Sequence, residues 1–322
     1  MTQSTMSVRV ISRQDEASDV VSWRLVAEET SLSLPRFEAG AHVDVYICDG
    51  LIRKYSLCND PGEEGVYEIA VKRDPVSRGG SARLHANLHV GNSIKISQPL
   101  NHFSIDETAE RVVLIAAGIG VTPLLAMCHS LHQSSKIFEL HYFARSPGAA
   151  AYAARLKNCN FSSQVHFYFG LNPSATLLAL QDILLATSDT PHVYFCGPAP
   201  FMASVKLLAS QCLPPSHIHY EYFSPASTSP SLNNESFEVV LARTGITLIV
   251  PSNKSITDIL FENAIEIETS CEAGVCGACV ITVLDGVPHH RDEVLSTEDR
   301  AMNNKMLPCV SRCMGPRLTL DL

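Results

Sequence analysis

The pattern of apolar and polar positions changes character twice along the 322 residues. From about residue 7 to 105 it has period two, in short stretches such as Ser22–Val26, Ala41–Cys48 and Tyr67–Lys72. Such alternation puts successive side chains on opposite faces of a strand. Short strands with turn residues between them predict a small antiparallel barrel. From about 110 to 224 strands and helices alternate. Val112–Ala116, Phe138–Phe143, Val165–Phe169, Val193–Cys196 and Ile218–Tyr222 read as strands, and Pro123–Leu131 and Ala199–Ala209 read as helices. That alternation predicts a parallel, doubly wound α/β sheet. Residues 225–235 are Ser-, Pro- and Asn-rich without apolar period and read as a linker. Beyond it, Phe237–Ala242 and Thr247–Val250 flank a Thr244-Gly245 turn, a hairpin signal. Ser255 and Asp258 form a capping box for a helix to about Ala264. Val280–Leu284, a short helix Ser296–Met302 and a last strand Leu318–Leu322 complete a compact, β-grasp-like α+β unit. The expected division is 1–108, 109–224, the linker 225–235, and 236–322, in keeping with two to three domains for this length.

Composition narrows the function. Hydrophobic content of 46% is ordinary for a globular protein. The net charge of −9 argues against nucleic acid or an anionic membrane as partner. The longest apolar run, Val112–Cys128, is broken by Gly118, Gly120, Thr122 and Pro123, so it reads as strand, turn and helix start rather than a membrane span. Met1–Met6 is polar and no apolar segment follows, so no secretory signal is read and a cytoplasmic location is expected.

Four of the eleven cysteines carry the strongest signal. Cys271, Cys276 and Cys279 are spaced C-x4-C-x2-C, and Cys309 follows after 29 residues. This is the spacing of plant-type 2Fe–2S ferredoxins. Three thiolates come from one tight loop and the fourth from a separate segment. Gly274 and Gly277 let that loop wrap close to the cluster and adopt φ > 0. A structural zinc site also takes four thiolates, but usually as paired C-x2-C arms. Cys313, four residues past Cys309, is a rival fourth ligand that the long gap disfavours. The remaining cysteines (Cys48, Cys58, Cys128, Cys159, Cys196, Cys212 and Cys313) are scattered and read as reduced, buried thiols. His289-His290-Arg291-Asp292 is rich in histidine, but neighbouring residues on a strand face opposite ways and cannot share a metal.

Two glycine segments carry the next signal. Arg78-Gly79-Gly80-Ser81 leads into a helical pattern, where backbone N–H groups, the helix dipole and a guanidinium suit a phosphate. By itself a glycine pair is a plain turn. Upstream lies Arg53-Lys54-Tyr55-Ser56, where a tyrosine can lie along an aromatic cofactor and the next hydroxyl can bond its edge. Ala117-Gly118-Ile119-Gly120-Val121-Thr122-Pro123 follows a strand and opens a helix, the context in which glycines admit a pyrophosphate.

On these residues the chain resembles the ferredoxin-NADP reductase superfamily, and within it the phthalate dioxygenase reductase family, over essentially its whole length. The resemblance implies FMN, NADH and a 2Fe–2S cluster in one chain. It implies that Arg53, Gly79, Gly80 and Ser81 hold the FMN phosphate, that Tyr55 and Ser56 contact the isoalloxazine, and that Ala70, Val71 and Lys72 line its other edge. Gly118, Gly120, Thr122 and Pro123 would hold the nicotinamide dinucleotide; Ala117 stands where the family usually has a first glycine. Cys196, Gly197 and Pro198 would approach the nicotinamide, although Cys196 is also readable as a packing residue. Phe223 would cover the flavin, or be a core aromatic at a strand end. Arg145, after the strand Phe138–Phe143, either reads a 2′-phosphate or stacks on adenine. Cys271, Cys276, Cys279 and Cys309 would ligate the cluster.

The activity expected is an NADH-dependent reductase in which a flavin converts two-electron hydride transfer into one-electron delivery. No acid–base catalytic residue is expected. The resemblance implies a monomer serving a terminal, Rieske-type oxygenase in the catabolism of an aromatic acid or similar compound. The alternatives are a reductase for a cytochrome or diiron hydroxylase, and a non-catalytic redox-sensing or electron-carrier module. Residues 236–322 hold 12 acidic and 7 basic side chains, against 5 and 6 in 109–224. That acidic surface could steer a basic redox partner or simply be a solvated face.

Overall fold

The computed structural model describes residues 5–322 except 30, 32, 49–50, 74–78, 186–189, 224–234, 266, 268–273, 275–276, 278 and 293. By its contacts the chain divides into Met1–Glu221 and Tyr222–Leu322.

The first unit begins with six antiparallel strands: β1 (Thr5–Ala17), β2 (Val20–Ala27), β3 (His42–Cys48), β4 (Leu51–Ser56), β5 (Val66–Lys72) and, after helix α1 (Gly80–Asn87), β6 (Ser93–Ser97). Their order is β4-β3-β6-β1-β2-β5, and a bridge between Leu57 and Ile69 joins the outer strands into a barrel. Trp23, Leu25, Val43, Val45, Tyr67, Ile69 and Ile96 fill it. The alternation expected over Ala41–Cys48 and Tyr67–Lys72 does not mean one wet face, for His42–Val45 and Tyr67–Val71 are buried without a break. On β5 the second face meets the α/β half: Ala70 belongs to that half's core, while Ile69 and Val71 belong to the barrel's.

The α/β half follows: β7 (Arg111–Ala117), a 3₁₀ turn at Gly118–Gly120, α2 (Val121–Gln133), β8 (Ile137–Ala144), α3 (Ala153–Lys157), β9 (Val165–Phe169), α4 (Pro173–Leu185), β10 (His192–Cys196), α5 (Ala199–Cys212) and β11 (Ile218–Glu221). The sheet is parallel, in the order β11-β10-β7-β8-β9. The chain runs outward from β7 through β8 and β9, then restarts at β10 on the other side. The reversal lies between β7 and β10, and ligands of such sheets bind outside the carboxyl ends at that point. Two side-chain links hold the halves together, one between a buried acid and an exposed arginine and one fully buried. Arg155 Nη1 donates to both carboxylate oxygens of the almost fully buried Glu68, at 2.9 and 3.1 Å. The Cys58 thiol lies 3.1 Å from the Tyr152 hydroxyl.

The second unit contains β12 (Phe237–Leu241), β13 (Thr247–Val250), α6 (Ile256–Glu262), β14 (Ile281–Asp285), β15 (Pro288–His289), α7 (Thr297–Met302), β16 (Lys305–Met306), β17 (Arg312–Cys313) and β18 (Arg317–Leu320). Its main sheet has the order β13-β12-β18-β14-β16, with α6 packed on it. The capping box is present: Ser255 Oγ accepts from Asp258 N, and the Asp258 carboxylate accepts from Ser255 N. Arg312 pins the long connections, donating to the carbonyls of Lys254, Glu235 and Pro251.

The scattered cysteines are not uniformly buried. Cys58, Cys128 and Cys196 are, but Cys159 and Cys313 are intermediate and Cys48 and Cys212 exposed. Cys48 ends an outer-strand hairpin arm, and Cys212 lies in the last turn of α5, where apolar context in sequence does not guarantee a covering layer.

Candidate functional site

Four of the expected residues meet at the N-terminus of α1. Gly79 has φ +97°, which a side chain disfavours, and Gly80 and Ser81 are buried. A Cβ on Gly80 would lie 3.1 Å from Arg53 Cγ, so the Arg53 side chain passes directly over the helix start. Arg78 lies outside the described residues. The helix is fixed at its far end: Trp23 Nε1 donates to the Leu88 carbonyl at 3.0 Å, and His85 Nε2 lies 2.8 Å from the Val71 carbonyl. The latter bond ties the phosphate-type site to the Ala70–Lys72 stretch. Ala70 and Val71 are buried, and Lys72 pairs with Asp19 at 3.5 Å. Burial pushes the Tyr55 phenol up to about 12 against the opposing charge of Arg53, so Tyr55 is neutral and available for stacking.

Ser56, at the end of β4, is buried and hydrogen bonded to Glu221, the last residue of β11. Burial raises the Glu221 carboxyl to about 7, a net shift that already includes the opposing pull of the Ser56 bond and the Lys54 charge. Cys196 lies opposite Glu221 in the β10–β11 register. Its thiol is held far above the usual range, first by burial and then by the Glu221 charge, so it stays neutral.

The glycines at the reversal are positioned by contact rather than only by turn geometry. A Cβ on Gly120 would lie 2.2 Å from the Cys196 carbonyl oxygen, and one on Gly197 would lie 2.8 Å from Ala117 Cβ. The β7 and β10 loops therefore touch backbone to backbone. Gly118 has φ +55° and open space around its Cβ position; its carbonyl accepts from the Tyr142 hydroxyl at 3.0 Å. Ala117 is extended, at φ −130°, so alanine costs no backbone strain there. Thr122 is buried and donates to the Ile119 carbonyl at 3.0 Å, at the start of α2 with Pro123. Arg145 is exposed, one residue past β8, whose last turn inward is marked by Phe143 stacked on Tyr168 at 4.4 Å. Phe223 is 42% exposed, which is not the burial of a core aromatic.

In the second unit Cys279 Sγ and Cys309 Sγ are 3.2 Å apart and nearly buried. That is too long for a disulfide at about 2.05 Å. It is near the roughly 3.8 Å of two sulfurs each ~2.3 Å from one tetrahedral metal. Cys271 and Cys276 lie outside the described residues. Cys313 Sγ instead donates to the Arg317 carbonyl at 3.3 Å. Gly274 and Gly277 have φ +73° and +75°, as the loop was expected to need. Gly274 is pressed against Val310, where a Cβ would come within 2.5 Å of Cγ2. These features fit a thiolate-bound cluster: converging sulfurs, a loop with left-handed glycines, and apolar cover from Leu295, Leu307 and Val310.

Three groups escaped the sequence reading. Glu221 lies two residues before Phe223, whose ring carried the expectation there. Lys54 was the unassigned position of its motif. Asp292 belonged to the histidine-rich tetrad, yet it is the buried staple of the cluster region: Oδ2 accepts from Val294 N and Leu295 N, and Oδ1 from Ser311 Oγ. Of the three, only Glu221, an acid set between Tyr220 and Tyr222, gave a local signal.

A family described as "2Fe-2S iron-sulfur cluster binding domain" matches residues 239–314, and one described as "Oxidoreductase FAD-binding domain" matches 7–105. Vanillate O-demethylase oxidoreductase of Pseudomonas sp. (strain HR199 / DSM 7063) is 43% identical, covering 95% of this chain and 96% of its own. The phthalate 4,5-dioxygenase reductase subunit of Pseudomonas putida is 36% identical over 98% and 96%. The solved structure of phthalate dioxygenase reductase, described as modular for electron transfer from pyridine nucleotides to [2Fe-2S], superposes with TM-score 0.81 at 32% identity, over 99% of this chain and 98% of that one. An intact type IV self-sufficient cytochrome P450 monooxygenase matches with TM-score 0.73 at 33% identity, over 99% of this chain and 41% of that one.

Proposed function

The chain belongs to the phthalate dioxygenase reductase family, flavin- and 2Fe–2S-containing oxidoreductases of oxygenase systems, and from that membership we propose that it oxidises NADH and delivers the electrons singly to a terminal oxygenase. The observation that carries this reading is the end-to-end match to a pyridine-nucleotide-to-[2Fe-2S] reductase. Residues 1–108 hold FMN, 109–224 hold NADH and 236–322 hold the cluster, joined by 225–235. A bound flavin supplies the exchange between two-electron and one-electron chemistry. The chain's own residues bind and orient: Arg53, Gly79, Gly80 and Ser81 take the phosphate, Tyr55, Ser56 and Ala70–Lys72 border the ring, and Phe223 covers it. Gly118, Gly120, Thr122 and Pro123 take the pyrophosphate, Arg145 the adenosine end, and Cys196–Pro198 the nicotinamide side. Cys271, Cys276, Cys279 and Cys309 ligate the cluster. The partner is a terminal, Rieske-type oxygenase that acts on an aromatic acid or similar compound. The protein is a cytoplasmic monomer; no described helix is long and apolar enough to cross a membrane.

The deciding experiment is the visible spectrum of the purified protein and its bleaching by NADH under argon. Flavin and iron–sulfur bands that bleach together support the reading, and a protein that NADH leaves unchanged refutes it. The match to a cytochrome P450 that carries such a reductase in its own chain favours one second reading, a haem acceptor. Electron delivery to a purified P450 at rates matching an oxygenase would establish it.

The flavin is expected to be FMN. The glycine turn that opens α1, with the Arg53 side chain packed against Gly80, suits a single phosphate. Acid extraction and chromatography should release FMN, and FAD as the main species would sink the assignment.

NADH is expected to exceed NADPH in kcat/KM by at least tenfold, about 1.4 kcal/mol. Arg145 is the nearby exposed guanidinium, and the next basic residue, Arg155, is committed to Glu68. A 2′-phosphate would therefore meet one cation only. Equal values for the two coenzymes, or an NADPH preference abolished in Arg145→Ala, would show that Arg145 does read the phosphate.

A further inference from the structure

The histidine-rich tetrad ends in Asp292, whose side chain is fully buried. This residue sits between the two segments that carry the cluster cysteines. A Cβ on Gly274, in the loop between Cys271 and Cys276, would lie 3.2 Å from its Cα. Leu295, whose N–H donates to Asp292 Oδ2 at 2.8 Å, packs against the Cys279, Leu307 and Cys309 group. Cys309 itself lies in a turn closed by the Leu307 carbonyl, which accepts from Val310 N and Ser311 N. The Ser311 hydroxyl donates to Asp292 Oδ1 at 3.4 Å. With Val294 N at 3.2 Å from Oδ2, the carboxyl accepts three hydrogen bonds and donates none, the pattern of an ionised acid.

The countercharge is incomplete. Arg300 Nη2 is 3.7 Å from Oδ2, but that side chain is 40% exposed, and the same nitrogen donates to the Asp292 carbonyl at 2.5 Å. His290 Nδ1 is 3.7 Å from Oδ1, beyond hydrogen-bond reach. Burying an anion beside four thiolates is costly, by desolvation and by like-charge repulsion. The staple by itself does not require the charge. An asparagine amide oxygen would accept from Val294 and Leu295, and its NH2 would donate to the Ser311 oxygen. The charge therefore calls for a second role.

We propose that the buried Asp292 charge tunes the cluster held by Cys271, Cys276, Cys279 and Cys309, lowering its reduction potential, and that Arg300 partly offsets it. The inference rests on the 2Fe–2S reading above. Net charge around an iron–sulfur cluster is one of the quantities that set its potential. Reduction brings in one electron from the flavin and adds one negative charge; delivery to the partner removes the same electron. A fixed anion in a poorly screened interior opposes the first step and favours the second. Asp292 acts through space and through the segments it staples, so it is a positioning residue.

The test is the midpoint potential of the cluster in the holoenzyme, read by EPR during an anaerobic dithionite titration with mediators at pH 8, clear of the ordinary histidine range. Asp292→Asn should favour reduction at least about tenfold, which raises the midpoint by about 59 mV or more for one electron. Arg300→Met should lower the midpoint, and by less, because water screens an exposed guanidinium. Arg300→Lys, which keeps the charge, should restore it. Loosened packing would move both variants the same way, whereas charge moves them oppositely. An unchanged or lowered midpoint in Asp292→Asn, or an unchanged or raised one in Arg300→Met, overturns the proposal. Should Asp292→Asn fail to hold iron, Arg300→Met decides alone. A wild type without a one-electron iron–sulfur signal overturns the underlying reading and the proposal with it.

Discussion

Replacing Cys309 with serine is expected to strip the protein of its iron and to lower NADH-dependent cytochrome c reduction at least about 100-fold. Losing even an outer-shell partner of a metal site costs 10–100-fold, and Cys309 is assigned as a ligand. Its sulfur sits 3.2 Å from that of Cys279 and packs with Leu295, Leu307 and Val310. A hydroxyl there does not match the thiolate as a ligand. Direct reduction of ferricyanide by NADH should survive, because it bypasses the cluster. Cys313→Ser is the control: that sulfur is committed to the Arg317 carbonyl and should leave iron content unchanged. Iron assay and the visible spectrum decide the matter. Full iron in Cys309→Ser with loss in Cys313→Ser would reverse the ligand assignment.

What the sequence made legible is what local physics dictates. Period-two stretches, strand–helix alternation and a proline- and serine-rich break mark the parts of the chain because each property is readable within a dozen residues. Glycine loops are legible for the same reason, since Gly79, Gly274 and Gly277 sit at φ values that side chains disfavour. The ion pair of Glu68 with Arg155 joins residues 87 apart and depends on how two cores meet. Nothing near either residue announces it. The Ser56–Glu221–Lys54 cluster likewise exists only through strand register and the arrival of β11. Period two on β5 left its second face undecided, because alternation cannot say whether that face meets water or a neighbouring layer.

Gly120→Ala is expected to lower kcat/KM for NADH at least about 100-fold while flavin content is retained, and Gly118→Ala to do much less. The two glycines are alike in sequence and unlike in cause. Gly120 has φ −62°, which any residue adopts, so its need is steric. An added methyl would lie 2.2 Å from the Cys196 carbonyl oxygen and 2.7 Å from Gly197 N. Both are backbone atoms in the loop after β10, fixed to β7 by the register of Cys196 with Ala116. No flexible side chain can yield, so one loop must shift by an ångström or more. A displacement of that size at a positioning site costs about 100-fold, or ~2.7 kcal/mol. Gly118 is the reverse case. Its Cβ would meet nothing within 4 Å, and the cost is that of a left-handed residue, roughly 1–2 kcal/mol. Stopped-flow reduction by NADH, with flavin quantified in each variant, separates the two. Gly120→Ala reduced as fast as Gly118→Ala would mean that the contact between the loops after β7 and β10 does not hold the nucleotide.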